Sequence, residues 1–550
     1  MDKALEMGRT SATGSFHLLI GVAFSSIIMA VGTIVLAGLL PVNEVGLYGI
    51  SMIPATIINF FRDWGINQAM TQQIASLRVQ GKESEIHDVI VSGVIFELIS
   101  GALLSIVCFA LAEPLALVLS PANASNLSVY IAIMSFSIFA GAVIAAASGI
   151  FTGFERMKLN SLTQILQSIV KTALGPLLIV LGFGVLGAIY ASVTSFAAGS
   201  IFSIFIVYFS LFRPLRKCKV GKCAVKKTLK PMLKYGLPLT VSGIVIGVLP
   251  QLFAFSMAIY AGEWMMGNYY AAVYFSVLIT FISIPISTAL FPAFSKLNPE
   301  KEPELVKTVF NSSVKFTSLL LVPATMVLIT LSNPLIGALF PKNGILQSLF
   351  SLNAELKFPY APLFLALSSL VNLLVLMGNI SLSTFQAGVG KTSQVMKQSF
   401  LSVLVGLPLA FLLVSYLNSI GGAALAVVGG ILGSLVATIP PIIWGLHWLW
   451  KNYRVSIDYK LSAKIFLSSI IASAVTFLFI SYASLPYGFL LIGGFLIYLL
   501  VYITIAPLFG AVNLSDIDAF KAMFSDLGVI SKILNTPLLL MTKLCRKRNK

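Results

Sequence analysis

Charge is what this chain has least of. Lys, Arg, Asp and Glu make up 10% of its 550 residues against 58% hydrophobic, and the mean hydropathy is +0.96. A soluble domain carries roughly 25% charged residues, so that class is excluded. Acids are scarcer than bases, 19 against 36, which leaves a formal net charge of +17. In a soluble chain such an excess would suggest nucleic acid. Here the bases sit in short gaps between apolar runs, so no nucleic-acid partner is assigned and the basic face reads as lying beside anionic lipid headgroups. Histidine and cysteine are equally sparse, with three and four copies. His17, His87 and His447 fall near the ends of different runs and share no ligand spacing. Cys108 lies inside an apolar run, Cys218 and Cys223 lie in a basic stretch, and Cys545 precedes RKRNK. This pattern gives no disulfide framework, prenylation box, metal or cofactor. Nor do a nucleophile, a base and paired carboxylates converge, so the chain does not read as an enzyme. GVGKT at 388–392 is not a phosphate loop, because that motif needs glycine where Phe385 stands and a strand before it.

Hydrocarbon is present in abundance. Runs of about twenty apolar residues, each enough to cross a ~30 Å core as a helix, cover 15–39, 45–63, 86–112, 127–151, 160–182, 185–209, 233–259, 268–293, 308–330, 359–384, 396–417, 421–447, 462–483 and 486–509. The pattern predicts an all-α polytopic membrane protein of about fourteen helices. The opening MDKALEMGRT leads into an apolar stretch too long for a cleaved signal, so the first helix is expected to be retained. Nearly every second gap is basic: Arg78/Lys82, Arg156/Lys158, Arg213 to Lys234, Lys296 to Lys307, Lys391/Lys397 and Lys451 to Lys464, as are both termini. The intervening gaps carry only Lys342 and Lys357. The positive-inside rule places the first set and both termini in the cytoplasm, across a plasma membrane. Asn123 and Asn126 head glycosylation sequons in an outward gap.

An internal repeat divides the chain. Residues 46–93 lie without gaps over 267–314, so that Gly46 meets Gly267, Tyr48 meets Tyr269 and Glu83 meets Glu304. GFERMKLNSLTQ at 153–164 likewise answers GVGKTSQVMKQS at 388–399. The predicted organisation is an N-terminal six-helix lobe over 1–211, a basic linker over 212–234 in which nine of 23 residues are basic, a second six-helix lobe over 235–450, and helices 13–14 over 451–509. An amphipathic, basic tail follows over 510–550, with Ser515 and Asp518 as a capping box. Helices 13 and 14 carry no charge between Phe466 and Phe509 and are expected to pack outside the lobes beside a groove for a lipid tail. Pro238, Pro250, Pro285, Pro323 and Pro408 are expected to break helices, as in a moving transporter.

Glu97 and Lys171 each lie about ten residues from the inner end of spans three and five, at a common depth of ~15 Å. Charges so deep face a cavity or each other, so the two are candidates for a functional or a structural ion pair. The repeat sets Ser318 against Glu97 and Gly406 against Lys171. Arg62 and Asp63, at the inner end of the second span and just after Asn59, are candidates to meet an anionic diphosphate or to anchor the helix end. Lys315 is a candidate to line the same cavity or to snorkel. Gln164, Gln167, Gln251, Asn372, Asn379 and Gln386 are candidates for sugar hydrogen bonding or for joining helices.

The ordered set GSFHLLIGVAFSSIIMAVGTIVLAGLLPVNEVGLYGI, FRDWGINQAMTQQIASLRVQGKESE and GFERMKLNSLTQI, with a basic mid-chain loop and an amphipathic C-terminus, resembles the polysaccharide flippases of the multidrug/oligosaccharidyl-lipid/polysaccharide (MOP) exporter superfamily, archaeal-type members included. The chain departs from that pattern at Ala37–Leu40, where many members carry an arginine, so no cationic contact is carried over there. The resemblance implies two lobes around a cavity that opens alternately to each side. It also implies translocation of a lipid-linked oligosaccharide by alternating access, with membrane lipids and glycan-assembly proteins such as glycosyltransferases as partners of a monomer. A cation-coupled drug exporter of the same superfamily, or a non-transporting scaffold for glycan assembly, remain the alternatives.

Overall fold

In hydrocarbon a backbone N–H or C=O has no water to bond, so an apolar run satisfies itself as a helix. The computed structural model describes residues 2–212, 225–342, 355–524 and 529–548. Among these the fold is all-α, with a single isolated bridge between Pro341 and Leu356. Most of the basic linker, together with Cys218 and Cys223, lies outside the described residues. The helices are α1 (Asp2–Leu39), α2 (Val42–Phe60), α3 (Ile66–Val79), α4 (Glu83–Ala110), α5 (Ala112–Leu119), α6 (Ala124–Gly153), α7 (Met157–Leu178), α8 (Gly184–Ile206), α9 (Val225–Val273), α10 (Val277–Ser295), α11 (Pro303–Thr330), α12 (Ser332–Leu339), α13 (Ala361–Ser369), α14 (Asn379–Gly388), α15 (Thr392–Tyr453), α16 (Tyr459–Tyr482), α17 (Tyr487–Leu508), α18 (Leu514–Phe524) and α19 (Val529–Arg548).

Nine stretches among the described residues are long and apolar enough to cross a membrane, or ten if the bent pair Ala361–Met377 and Asn379–Gly388 is one span. Three of the nine, Met157–Leu211, Gly243–Ser295 and Thr392–Tyr453, exceed 50 residues and are interrupted at Gly182, Gly262 and Gly421–Gly422. At the last of these the chain doubles back. A Cβ on Gly429 would lie 3.2 Å from Leu413 O, whereas sixteen residues of straight helix span about 24 Å. Gly422 makes the reversal at φ 71°, a value that costs a side chain dearly and glycine little. Counting these three as two crossings each, and adding the bent pair and α2, gives the fourteen that the hydropathy predicts.

The breaks do not fall where the prolines predict. The backbone remains helical through 238, 250, 285, 323 and 408, and the interruptions sit at glycines. The clearest is a 3-10 run over Leu370–Met377 that ends at Gly378 and bends the pair by 55°. Neighbours donate to carbonyls of this run: Ser318 to Val375 O at 3.4 Å, beside Gly378 N at 2.8 Å, and Ser462 to Leu376 O at 3.2 Å.

Two compact units divide the chain, Met1–Val277 with Ser399–Ser434, and Leu278–Gln398 with Leu435–Lys550. In the first, α2 runs along α9, α1 along α7, α7 along α8 and α4 along α6. Small and hydroxylated residues make the approaches close, as membrane helices require. Ser25 donates to Gln164 O and Thr172 to Ile28 O, both at 3.0 Å. On α2 and α9, Gly46 and Gly267 face each other, and a Cβ on Gly46 would lie 3.0 Å from Gly267 N. The residues that the repeat equates therefore meet in space. The core of this unit gathers Ile66, Met70, Ile74, Ile90, Phe151 and Met232. In the second unit Phe294, Phe310, Phe385, Leu449 and Ile457 cluster, with edge-to-face rings at 5.4 and 6.0 Å between Phe385 and Phe294 and between Phe385 and Phe310. Both clusters are built from the helix ends nearest the basic gaps.

Candidate functional site

α2 stops at Phe60, and a five-residue break ending at Gly65, with φ 77°, turns the chain into α3. The sequence places Arg62 and Asp63 at the inner end of a span. The structure places them in the turn between α2 and α3, and α3 buries Ile66, Ala69, Met70 and Ile74 in the first core. Gln68, Gln72, Gln73 and Arg78 depress its hydropathy. The i, i+3, i+4, i+8 spacing of those four apolar residues was the signal available.

The Arg62 side chain reaches α4. Its Nη1 donates to Glu97 Oε2, its Nε donates to Asn59 Oδ1 at 3.0 Å, and its carbonyl accepts from Ser100 Oγ at 2.8 Å. Arg62 is 6% exposed and Glu97 fully buried. Asp63 stands close enough to bear on the same carboxylate and accepts from Asn67 N at 3.3 Å. Glu97 does not meet Lys171. Instead Lys171 Nζ lies 5.8 Å from the centroid of Tyr48, whose hydroxyl pairs with Ser192 Oγ at 2.8 Å. Equal depth could not reveal this, because it says nothing of which way each helix face points. A cation over an aromatic face is stabilised without a carboxylate.

The remaining candidates scatter. Gln164, Gln251, Asn372 and Asn379 are half-buried, with Asn372 inside the 3-10 run and Asn379 the first residue past the Gly378 break. Gln167 packs under Gly199, joining α7 to α8. Gln386 is wholly buried, and its amide has no hydrogen-bond partner among the described residues. GVGKT forms the turn between α14 and α15. Asn123 is half-buried and its Nδ2 donates to Glu263 Oε1 at 3.0 Å, so the first sequon is engaged while Asn126 is exposed. Outside the spans, the hydrogen bond from Lys342 Nζ, at 2.6 Å, holds the Glu355 carboxyl below the usual carboxylate range.

The second unit holds an apolar groove of about 500 Å³. α10 contributes Leu278 and Ile282, α11 Leu320 and Ala324, and α17 Phe495 and Ile503. The rings of Tyr498 and Tyr502 stack along one wall at 6.3 Å. Of the two helices expected beside such a groove, α17 lines it and α16 packs behind against α17 and α11. Val512, with Pro537, Leu538 and Met541 of α19, completes the lining. One turn before the groove-lining Leu319, Lys315 Nζ pairs with Asp516 Oδ1 at 2.6 Å, with side chains 15% and 5% exposed. Lys315 is thus paired with the tail segment. Asp516 also accepts from Asn513 N at 2.8 Å, so the box that starts α18 is Asn513–Asp516, two residues before the predicted Ser515–Asp518. Sequence reading missed Asp516 and Arg548 as partners and Tyr498 and Tyr502 as a wall, although two tyrosines four apart within an apolar span mark one helix face.

Residues 11–298 match the family model described as polysaccharide biosynthesis protein. Among solved structures the chain is similar to the lipid II flippase MurJ in an inward closed conformation, at 18% identity over 90% of this chain and 98% of that one, with a TM-score of 0.69. It is also similar to an inward-facing multidrug resistance MATE family transporter of the MOP superfamily, at 20% identity over 78% and 96%, with a TM-score of 0.63. A third likeness is to a MOP superfamily transporter from Pyrococcus furiosus, at 20% identity over 81% and 96%, with a TM-score of 0.53. At these identities the likeness is one of fold, and the fold is that of the MOP superfamily. No curated protein matches the sequence closely enough to count as a relative.

Proposed function

The chain belongs to the polysaccharide biosynthesis protein family, and on that premise we propose that it moves a lipid-linked oligosaccharide from the cytoplasmic to the outer leaflet of the plasma membrane by alternating access. The observation that carries this reading is the groove. A sugar headgroup will not cross hydrocarbon and its lipid chain will not enter water, so a flippase needs a polar path together with an apolar one. The groove of about 500 Å³, walled by Leu278, Ile282, Leu320, Phe495 and Ile503, is an apolar path of the kind a lipid chain requires. A small-molecule exporter of the same fold has no need of it, nor has a scaffold.

The proposed organisation is that of the repeat: lobes over 1–211 and 235–450 joined by the basic linker, helices 13–14 as the lipid-facing addition, and the 510–550 tail and both termini in the cytoplasm. The contact between Gly46 and Gly267 supports a pseudo-twofold relation, since equivalent residues meet where an axis passes between them. Arg62, Asp63, Glu97 and Asn59, with Lys171, Gln164, Gln167 and Gln251, are the proposed polar groups of the first unit that serve such a path. A monomer served by glycosyltransferases or other glycan-assembly proteins completes the reading.

The test is reconstitution of the full chain in vesicles with a fluorescent oligosaccharide-diphosphate polyprenol, scored by its accessibility to an external quencher. The wild type should move the label between leaflets, and Ala324→Trp, which fills the groove, should abolish movement at unchanged yield. Extrusion of cationic dyes with no glycolipid movement would select the exporter, and neither activity would select the scaffold. Cysteine labelling checks the orientation: external reagents should modify Asn123→Cys and leave Lys222→Cys untouched.

A further inference from the structure

We propose that the groove ends in a receiving site for the phosphate of a lipid headgroup, formed by Lys315, Lys464 and Arg548, in which Asp516 is a resident counterion that the phosphate displaces. This deepens the lipid reading and rests on it. Three cations gather around the short connection from α17 to α18. Lys315 pairs with Asp516 at 2.6 Å. Arg548 donates from Nη1 to Pro507 O at 2.8 Å and from Nη2 to Asn513 Oδ1 at 2.9 Å. A Cβ on Gly510 would lie 2.7 Å from Arg548 Nη1 and 3.6 Å from Lys464 Nζ, so both cations lean on that glycine. Of the three, Lys315 is the one that Asp516 answers directly.

The chemistry favours exchange. Arg548 is satisfied by neutral oxygens, a carbonyl and an amide, which a phosphate outbids because charge-assisted hydrogen bonds are about twice as strong as neutral ones. Lys315 is satisfied by one carboxylate oxygen at a partly exposed edge, and a phosphate offers it more charge than a carboxylate does. The site adjoins hydrocarbon. Leu319, one turn from Lys315, and Val512, four residues before Asp516, both line the groove. A ligand with an apolar chain and an anionic head therefore fits both at once, and free phosphate fits only one.

Displacement has a mechanical consequence. Asp516 starts α18 and holds it to α11, α18 packs on α19, and α19 supplies Pro537, Leu538 and Met541 to the wall of the groove. Releasing Asp516 from Lys315 unfastens that wall, so a phosphate that binds also opens the way for its own chain.

The experiment measures binding of polyprenyl monophosphate, the corresponding polyprenyl alcohol and inorganic phosphate to purified full-length protein in detergent by native mass spectrometry. Polyprenyl monophosphate should bind tightest. Lys315→Gln should weaken it roughly tenfold, which corresponds to ~1.4 kcal/mol, leave the alcohol unchanged, and be rescued by Lys315→Arg. Asp516→Asn should strengthen the monophosphate by a similar factor. Should that variant fail to fold for want of its helix cap, Lys464→Gln combined with Arg548→Gln supplies the second arm and should weaken the monophosphate alone. Equal binding of monophosphate and alcohol, untouched by Lys315→Gln, overturns the headgroup site and spares the groove. Failure of both lipids to bind overturns the lipid reading itself. Inorganic phosphate binding as tightly as the monophosphate overturns the lipid as its source.

Discussion

Glu97 and Ser318 stand at matching places in the two halves of the repeat, and each faces a helix that is broken. In the first half the break after α2 is bridged by ions: Glu97 meets Arg62, and both are shut away from solvent. In the second half the break at Gly378 is bridged by neutral hydroxyls, Ser318 on Val375 O at 3.4 Å and Ser462 on Leu376 O at 3.2 Å. A buried ion pair that loses one partner strands a charge, whereas a long hydroxyl–carbonyl contact is worth little and can be remade elsewhere. Matching positions on equivalent helices thus face different breaks, a lock in one half and a loose joint in the other. An eight-residue 3-10 run is long for that geometry and suits a hinge.

The contrast is broken most directly at its charged end. Glu97→Ala or Arg62→Ala should cost about 3–5 kcal/mol each, while the double variant Arg62→Met with Glu97→Leu should recover most of the loss. The readout is the thermal midpoint and folded yield of detergent-purified protein, and single variants as stable as wild type would remove the lock. The next test asks how far the two halves are alike where they touch. Gly46→Leu should cost about 1–3 kcal/mol by forcing α2 from α9. Because Gly267 is its repeat partner at the same contact, Gly267→Leu should cost the same within error, and clearly unequal midpoints would break the symmetry. The smallest effect belongs to the joint: Ser318→Ala should cost about 0.6 kcal/mol, the usual worth of such a bond between membrane helices. A loss as large as that from Glu97→Ala would make both halves locks.

α3 shows how the sequence misleads as well as informs. Its polar residues make it read as an inner loop, yet four apolar residues on one face fold it into the first core and carry Arg62 to a break opposite Glu97. The tail behaves similarly. Its helical spacing and basic end were legible, but the packing of α19 against α17, which gives the groove part of its wall, was not. Lys171 meets the Tyr48 ring and not the carboxylate that equal depth suggested.

By itself the sequence determined what varies along the membrane normal: which segments are apolar enough to cross and which gaps are basic. Those quantities follow from hydrophobicity and charge counted along the chain, because lipid and water are layered in that direction. Only the tertiary structure decided what varies around each helix axis. A helix that is apolar on every side has no face to announce, and lipid rewards Leu on a neighbour no more than Leu in the bilayer. So the choice of Arg62 for Glu97, of Asp516 for Lys315 and of Gly267 for Gly46 was left to close packing.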